Sequence, residues 1–97
     1  MSEPDVTKNE QESRYEARID GQLAGFLQYR SAGDAIELPH TEVDPQFGGQ
    51  GVGSALVRYG LDEIRAQGEH KIIPTCPFVK GWLDKHPDYQ DLEAGQA

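Results

Sequence analysis

The sequence predicts an α/β (α+β) domain with a mixed sheet, in which antiparallel strands precede a helix, a further strand and a second helix. An alternating apolar segment ends at Asp20-Gly21, which predicts a hairpin. After Val52 the apolar period lengthens from two residues to about 3.6, which predicts a helix. A short apolar run over residues 71–75 is then followed by Pro77. This order is typical of helices packed on one sheet.

The first two strands are predicted from alternation and turn chemistry. Residues 14–20 place Tyr15, Ala17 and Ile19 on one face. Asp20-Gly21 suits a tight turn because both of its central positions take positive φ. Residues 22–29 are therefore expected to return as the second strand.

The third strand is predicted over residues 36–43, after a turn at residues 31–34. Pro39 interrupts it. Since proline has no N–H for the ladder, we expect an edge position or a bulge there.

The long helix is predicted from an i, i+4 stripe, and Gly68 is the expected C-cap. The stripe consists of Val52, Leu56, Gly60 and Ile64. Gly60 costs about 1 kcal/mol relative to alanine in a helix, so we expect it to mark close packing on the sheet. Residues 71–75 form a buried strand. The second helix opens at Pro77 and stops before Pro87.

Composition limits the class of protein. Residues 1–13 are polar and are expected to form a disordered tail, residues 14–92 one domain, and residues 93–97 a flexible end. The net charge of −8 argues against a nucleic-acid partner, which needs a basic face. No segment approaches the roughly 20 apolar residues of a membrane span. Cys76 is the only cysteine, which fits a reducing compartment, so we expect a cytoplasmic protein.

Residues 48–53 form a glycine-rich loop immediately before the long helix. The loop carries Gly48, Gly49, Gly51 and Gly53. Unpaired N–H groups and the helix dipole make such a position an anion site, and glycine lets a phosphate approach the backbone. A Walker loop would need a lysine after its last glycine, and the glycine spacing does not fit a dinucleotide fingerprint. Two interpretations remain: a loop that binds the pyrophosphate of coenzyme A, and a flexible glycine loop that binds no ligand.

The sequence at this point resembles the GNAT acetyltransferases. Their pyrophosphate loop reads Arg/Gln-x-x-Gly-x-Gly/Ala, and residues 51–53 match its glycine part, with Gly48 where the basic or amide residue usually lies. A minimal single-domain subgroup is more similar still. Its motifs correspond to His-Thr-Glu-Val at residues 40–43, Pro-Thr-Cys at 74–76 and His-Pro-Asp-Tyr at 86–89. The resemblance covers roughly residues 15–92 and implies the acyl-CoA N-acyltransferase fold.

The resemblance implies that acetyl-CoA lies in a splay between two parallel strands. Backbone groups of the third strand would contact the pantetheine arm, and backbone N–H groups of the loop would hold the pyrophosphate. The expected cofactor-binding residues are Val43, Gly48, Gly49, Gln50, Gly51, Val52, Gly53, Ser54 and Phe78. Phe78 and Trp82 fit equally well as core residues at i, i+4. No metal site is expected.

Acetyl transfer to an amine needs a base, a donor for the thioester oxygen and an acid for the leaving thiolate. His40 is a candidate base because its unperturbed pKa is about 6.5. The alternative is that its side chain makes a hydrogen bond at the end of a strand. Glu42 is expected on the same strand face and can act through water, as a carboxylate does in many GNAT relatives; otherwise it is an exposed strand residue or a structural partner of His40. Cys76 lies at the predicted start of the second helix, where a thiol pKa is lowered. It is a candidate nucleophile, acid or base, or a small buried residue.

The resemblance therefore implies an N-acetyltransferase that moves an acetyl group from acetyl-CoA to an amine on a small molecule, peptide or protein. Direct attack in a ternary complex is the simpler route, and an acetyl-cysteine intermediate stays open. The alternative function is a non-catalytic acyl-CoA-binding module. A monomer or weak homodimer is expected.

Overall fold

The computed structural model describes residues 3–68 and 71–94. Within them, the strands form two sheets. The first is antiparallel with the order β1-β2-β3-β6, and the second has the order β4-β5-β7 with a parallel β5–β7 pair. The strands are β1 Asp5–Asn9, β2 Arg14–Ile19, β3 Gln22–Gln28, β4 Arg30–Ala32, β5 Ala35–Glu37, β6 Thr41–Val43 and β7 Lys71–Ile73.

Two α-helices, α1 Val52–Gln67 and α2 Pro77–Asp84, follow the order expected from the sequence. The 3₁₀ turns Pro45–Phe47 and Pro87–Leu92 complete the chain described. The predicted mixed α/β class is confirmed. None of the helices in the described ranges combines the length and apolarity needed to cross a membrane.

The β2–β3 hairpin forms as predicted. Asp20 and Gly21 have φ values of 52° and 83°, which fits the tight turn that this dipeptide favours. Tyr15, Ala17 and Ile19 are buried. The expected alternation is incomplete on the other face, because Glu16 is also buried.

The expected disorder of residues 1–13 is wrong for β1. Asp5–Asn9 pairs with β2 along its whole length, Val6 packs against the core, and the ammonium of Lys8 lies 3.0 Å from Glu63 on α1. These are backbone and long-range contacts, and the spacing of apolar residues in the sequence does not predict them. Residues 1 and 2 lie outside the described residues.

Similar corrections apply to two other segments. The turn expected over residues 31–34 is confined to Gly33 and Asp34, because Arg30–Ala32 forms β4. At the C-terminal end, Glu93 bridges to Ile72 and the N–H of Ala94 donates to the Ile72 carbonyl at 2.7 Å, so these two residues are held. Residues 95–97 lie outside the described residues.

The single third strand expected over residues 36–43 is two strands in different sheets. β5 pairs with β7, whereas β6 pairs with β3. The chain changes sheets at Leu38 and Pro39. The expectation of an edge or bulge at Pro39 understated this break.

Helix α1 packs on the first sheet through the predicted stripe. Its buried side includes Leu56, Leu61 and Ile64, each worth roughly 1.5–3 kcal/mol when fully buried. A Cβ at Gly60 would lie 3.0 Å from the Tyr15 ring, which confirms the predicted close packing. The helix ends at Gly68, as expected.

Candidate functional site

The candidate site begins where the chain passes from one sheet to the other. The N–H of Leu38 donates to Ile73 and the N–H of Cys76 donates to Leu38, both at 3.0 Å, which prolongs the β5–β7 pairing. Two residues later the carbonyl of His40 accepts from Gln28 of the first sheet at 2.9 Å. Beyond this point β6 and β7 are in separate sheets. We call this divergence of β6 from β7 the cleft, and it is where the resemblance places the splay.

The free edge of β6 faces this cleft. His40 and Asp44 bond to β3 through a carbonyl and an N–H respectively. Because hydrogen-bonding direction alternates along an antiparallel strand, the main-chain groups of Thr41 and Val43 face away from β3. Val43, expected to bind the pantetheine arm, therefore directs its main-chain groups to the cleft side, where no backbone group of the described residues pairs with them.

An open groove of about 690 Å³ lies at the N-terminus of α1. Gly49 and Gly51 in its wall have φ values of 80° and 79°, and a Cβ at either position would meet no atom within 4 Å. Backbone conformation, not crowding, is therefore what requires glycine there. The groove is lined by Glu3, Pro4, Gly49, Gln50, Gly51, Ser54, Ala55 and Arg58.

The first turn of α1 supplies donors to this groove. The N–H of Ala55 makes the first helical bond, to the carbonyl of Gly51 at 3.0 Å. The N–H groups of Val52, Gly53 and Ser54 precede it and have no acceptor within the helix. Gly51 as N-cap offers no side chain to satisfy them. Such a set of donors favours an anion.

Two predicted loop contacts are used internally. The N–H of Gly48 donates to Pro45 at 3.1 Å, and that of Gln50 donates to Phe47 at 3.4 Å. Both bonds shape the loop before the helix. The anion-facing donors of the loop are therefore concentrated in the first helical turn.

Cys76 lies in the cleft at the N-cap of α2. It is 5% exposed, and its Sγ lies 3.4 Å from Oγ1 of Thr41. Burial would raise the pKa of the Cys76 thiol, but a hydrogen bond with the Thr41 hydroxyl and bonds from the N–H groups of Val79 and Phe78 lower the pKa overall. Thr41 was missed by sequence reasoning, although strand alternation within residues 40–43 places it on the face opposite Glu42.

His40 and Glu42 form an exposed pair on the other face of β6. Nε2 of His40 lies 3.2 Å from Oε1 of Glu42, and the His40 ring lies 6.0 Å from the Phe26 ring. The predicted shared face is therefore observed. The structure joins these two residues to each other and joins Cys76 to Thr41, so the three predicted catalytic residues form two groups.

Helix α2 packs against the start of α1. The indole N–H of Trp82 donates to Ser54 Oγ at 2.9 Å, and Trp82 is buried, which agrees with a core role. Phe78 is 46% exposed, and its ring lies so close to Gly53 that a Cβ there would be 2.7 Å away. Phe78 is thus an exposed aromatic ring beside the anion-facing turn.

Arg58 is a groove residue that sequence reasoning also missed. It follows Ser54 by one helical turn, and this spacing was the available signal. Its guanidinium lies 5.4 Å from the centre of the Trp82 ring and 5.8 Å from that of Tyr89. Tyr89 is buried and donates to Asp62 at 2.7 Å.

Known structures share this fold. A GCN5-like candidate N-acetyltransferase from Staphylococcus aureus, solved by NMR, is similar with a TM-score of 0.73 and 29% identity, covering 100% of this chain and 94% of its own. Ard1 from Thermoplasma volcanium has a TM-score of 0.60 and 21% identity, covering 78% of this chain and 55% of its own. A ribosomal-protein-alanine N-acetyltransferase from Brucella melitensis biovar Abortus 2308 has a TM-score of 0.58 and 22% identity, covering 87% and 62%.

At these identities the last two structures show the fold alone. No curated protein matches the sequence. The family model for GCN5-related N-acetyl-transferases matches residues 14–92, which is most of the chain. The chain belongs to the GCN5-related N-acetyltransferase family.

Proposed function

We propose that this protein transfers an acetyl group from acetyl-CoA to an amine by direct attack in a ternary complex. The observation that carries the proposal is the first turn of α1, whose unpaired N–H groups lie at a groove lined by Gly51 and Ser54. A second feature is β6, which is an edge strand of the first sheet in the described chain. A helix start suits the pyrophosphate of coenzyme A, and an unpaired strand edge suits the amide groups of its pantetheine arm.

The residues present fit this co-substrate. Gly49 and Gly51 leave open space where side chains would otherwise project into the groove. Val43 offers main-chain groups on the cleft side, and exposed Phe78 offers an apolar surface next to the first turn of α1. Gly48, Gln50, Val52, Gly53 and Ser54 complete the proposed binding loop.

The two groups of candidate catalytic residues have different proposed roles: one accepts the proton of the amine, and the other exchanges a proton with the leaving thiolate. The exposed His40–Glu42 pair can accept the amine proton, directly or through water, because a carboxylate orients and supports a histidine base. Cys76 sits in the cleft with a pKa below that of an ordinary thiol. A thiol so placed is matched to exchange a proton with a leaving thiolate. Its 5% exposure favours this role over that of a nucleophile.

The acceptor is proposed to be a small molecule, peptide or protein that carries an amine. The net charge of −8 favours cationic acceptors, since it attracts positive ligands. The unpaired Cys76 supports a reducing compartment such as the cytoplasm.

Calorimetric titration with acetyl-CoA, followed by thiol release with a panel of amines, tests the proposal. Binding with turnover is expected. Cys76→Ala, His40→Ala and Glu42→Gln should each lower turnover while acetyl-CoA still binds, whereas Glu12→Gln, an exposed substitution between β1 and β2, should not.

Full turnover in the first three variants would overturn the catalytic assignments. Binding without turnover across the panel would favour an acyl-CoA-binding module. A folded protein that binds no acetyl-CoA would refute the proposal itself.

A further inference from the structure

Arg58 is the one arginine without a carboxylate within ion-pair distance in the part of the chain that the structure describes. Of the others, Arg14 and Arg18 pair with Glu16, Arg30 pairs with Glu37, and Arg65 pairs with Asp91. Acidic residues outnumber basic ones by 17 to 9, so a shortage of acidic partners does not account for this. Even Glu3, which borders the same groove, makes no ion pair with Arg58.

Two aromatic rings and a side-chain hydrogen bond with Tyr89 place the Arg58 guanidinium. Its guanidinium lies over Trp82 and Tyr89, which are 6% and 8% exposed. Hydrogen bonds to Ser54 and Asp62 hold these two rings in place. A guanidinium that stacks on rings keeps N–H groups at its edge available for an anion.

The spacing along α1 places this charge next to the helix start. Arg58 follows Ser54 by one turn, or about 6 Å along the axis. Side chains lean toward the N-terminus of a helix, and Arg58 lines the groove together with Ser54 and Ala55. The groove therefore offers two anion-binding features, the N–H groups of the first turn and the guanidinium about one turn away.

Coenzyme A carries two separate anionic groups, a pyrophosphate and a ribose 3′-phosphate. The N–H groups of a helix start converge on a single anionic group. We propose that Arg58 binds the 3′-phosphate and so selects coenzyme A over its 3′-dephospho form. This inference rests on the proposed function.

Calorimetric titration with coenzyme A and with 3′-dephospho-coenzyme A tests the inference. The wild-type protein should bind coenzyme A at least about tenfold more tightly, which corresponds to about 1.4 kcal/mol. Arg58→Gln should weaken coenzyme A to the level of the dephospho form and leave the dephospho form unchanged. Trp82 provides a second signal, because its fluorescence should respond to coenzyme A in the wild type and less in the variant.

Arg65→Gln is the matched control. Arg65 lies two turns further along α1, also contacts the Tyr89 ring, and is paired with Asp91. It should keep the full preference for coenzyme A. If Arg58→Gln lost the same affinity for both ligands, Arg58 would be assigned to the pyrophosphate and the inference would be overturned. Unchanged affinity for both ligands would also overturn it. Binding of neither ligand by the folded wild type would instead overturn the proposed function, and the inference with it.

Discussion

Gly51 and Gly68 lie at the two ends of α1 and have the same backbone conformation. Both have a φ of 79°, and a Cβ at either would meet no atom within 4 Å. Alanine in this left-handed region costs roughly 1–2 kcal/mol. Gly51→Ala and Gly68→Ala should therefore destabilise the fold by similar amounts, with the melting temperature falling by about 4–8 °C per kcal/mol in a domain of this size.

The two variants should differ in affinity for acetyl-CoA. In Gly51→Ala the added methyl group would occupy open space at a residue that lines the groove, next to the N–H groups of the first turn. Gly68 lies at the far end of the helix. A hydrogen bond to a charged group contributes about 1.5–3 kcal/mol, so losing one should weaken binding by about 10- to 150-fold in Gly51→Ala. Gly68→Ala should bind like the wild type.

Calorimetry at 25 °C, with urea unfolding of the same samples, measures both quantities. The pairing separates affinity from stability because both variants carry the same backbone strain. Equal affinity in all three proteins would refute the assignment of the α1 start as a phosphate site. A Gly68→Ala variant that also lost binding would show that the effect arises from helix stability alone.

Three further predictions concern packing and titration. A Cβ at Gly25 would lie 2.5 Å from the carbonyl oxygen of Glu42, so Gly25→Ala should cost about 1–3 kcal/mol in urea unfolding, and an unchanged midpoint would contradict the tight β3–β6 spacing. Thr41→Val removes a hydrogen bond that lowers the pKa of Cys76, so the pH midpoint of alkylation should rise; no rise would exclude the contact. The hydrogen bond from Arg14 is the largest cause that lowers the pKa of Glu16, so this carboxylate stabilises the fold above its unfolded pKa of about 4.3, and that stability is lost as the pH falls. Glu16→Gln should lower the urea midpoint at pH 7 more than at pH 3, whereas Glu12→Gln should change neither midpoint.

Elements with local signals were predicted well. The Asp20-Gly21 turn, the stripe of α1 and the start of α2 at Pro77 depend on residues close together in sequence. β1 and β4 were missed because they depend on pairing. The backbone of β1 bonds to β2, and Lys8 reaches Glu63 on a distant helix. No apolar period in residues 1–13 records either contact.

The candidate site also combines a local signal with contacts that depend on tertiary structure. The glycine loop carries its own signal, since four glycines within six residues at a helix start favour close approach of a ligand to the backbone. Thr41 and Arg58 carry only the weak signals of strand alternation and of helical spacing from Ser54. Thr41 becomes a candidate because it contacts Cys76 across the cleft. Arg58 becomes a candidate because it has no carboxylate partner in the described chain. Both facts depend on tertiary structure.

The break in the third strand is the reason that the site exists at all. The main chain of Leu38 hydrogen-bonds to the second sheet and that of His40 to the first. The residues on the two sides of Pro39 therefore belong to different sheets. Proline has no N–H with which to continue either ladder, so the change is cheapest at this residue. Once the sheets separate, β6 keeps one unpaired edge and Cys76 faces it from α2. The feature that sequence reasoning treated as an irregularity in a strand is therefore the origin of the cleft.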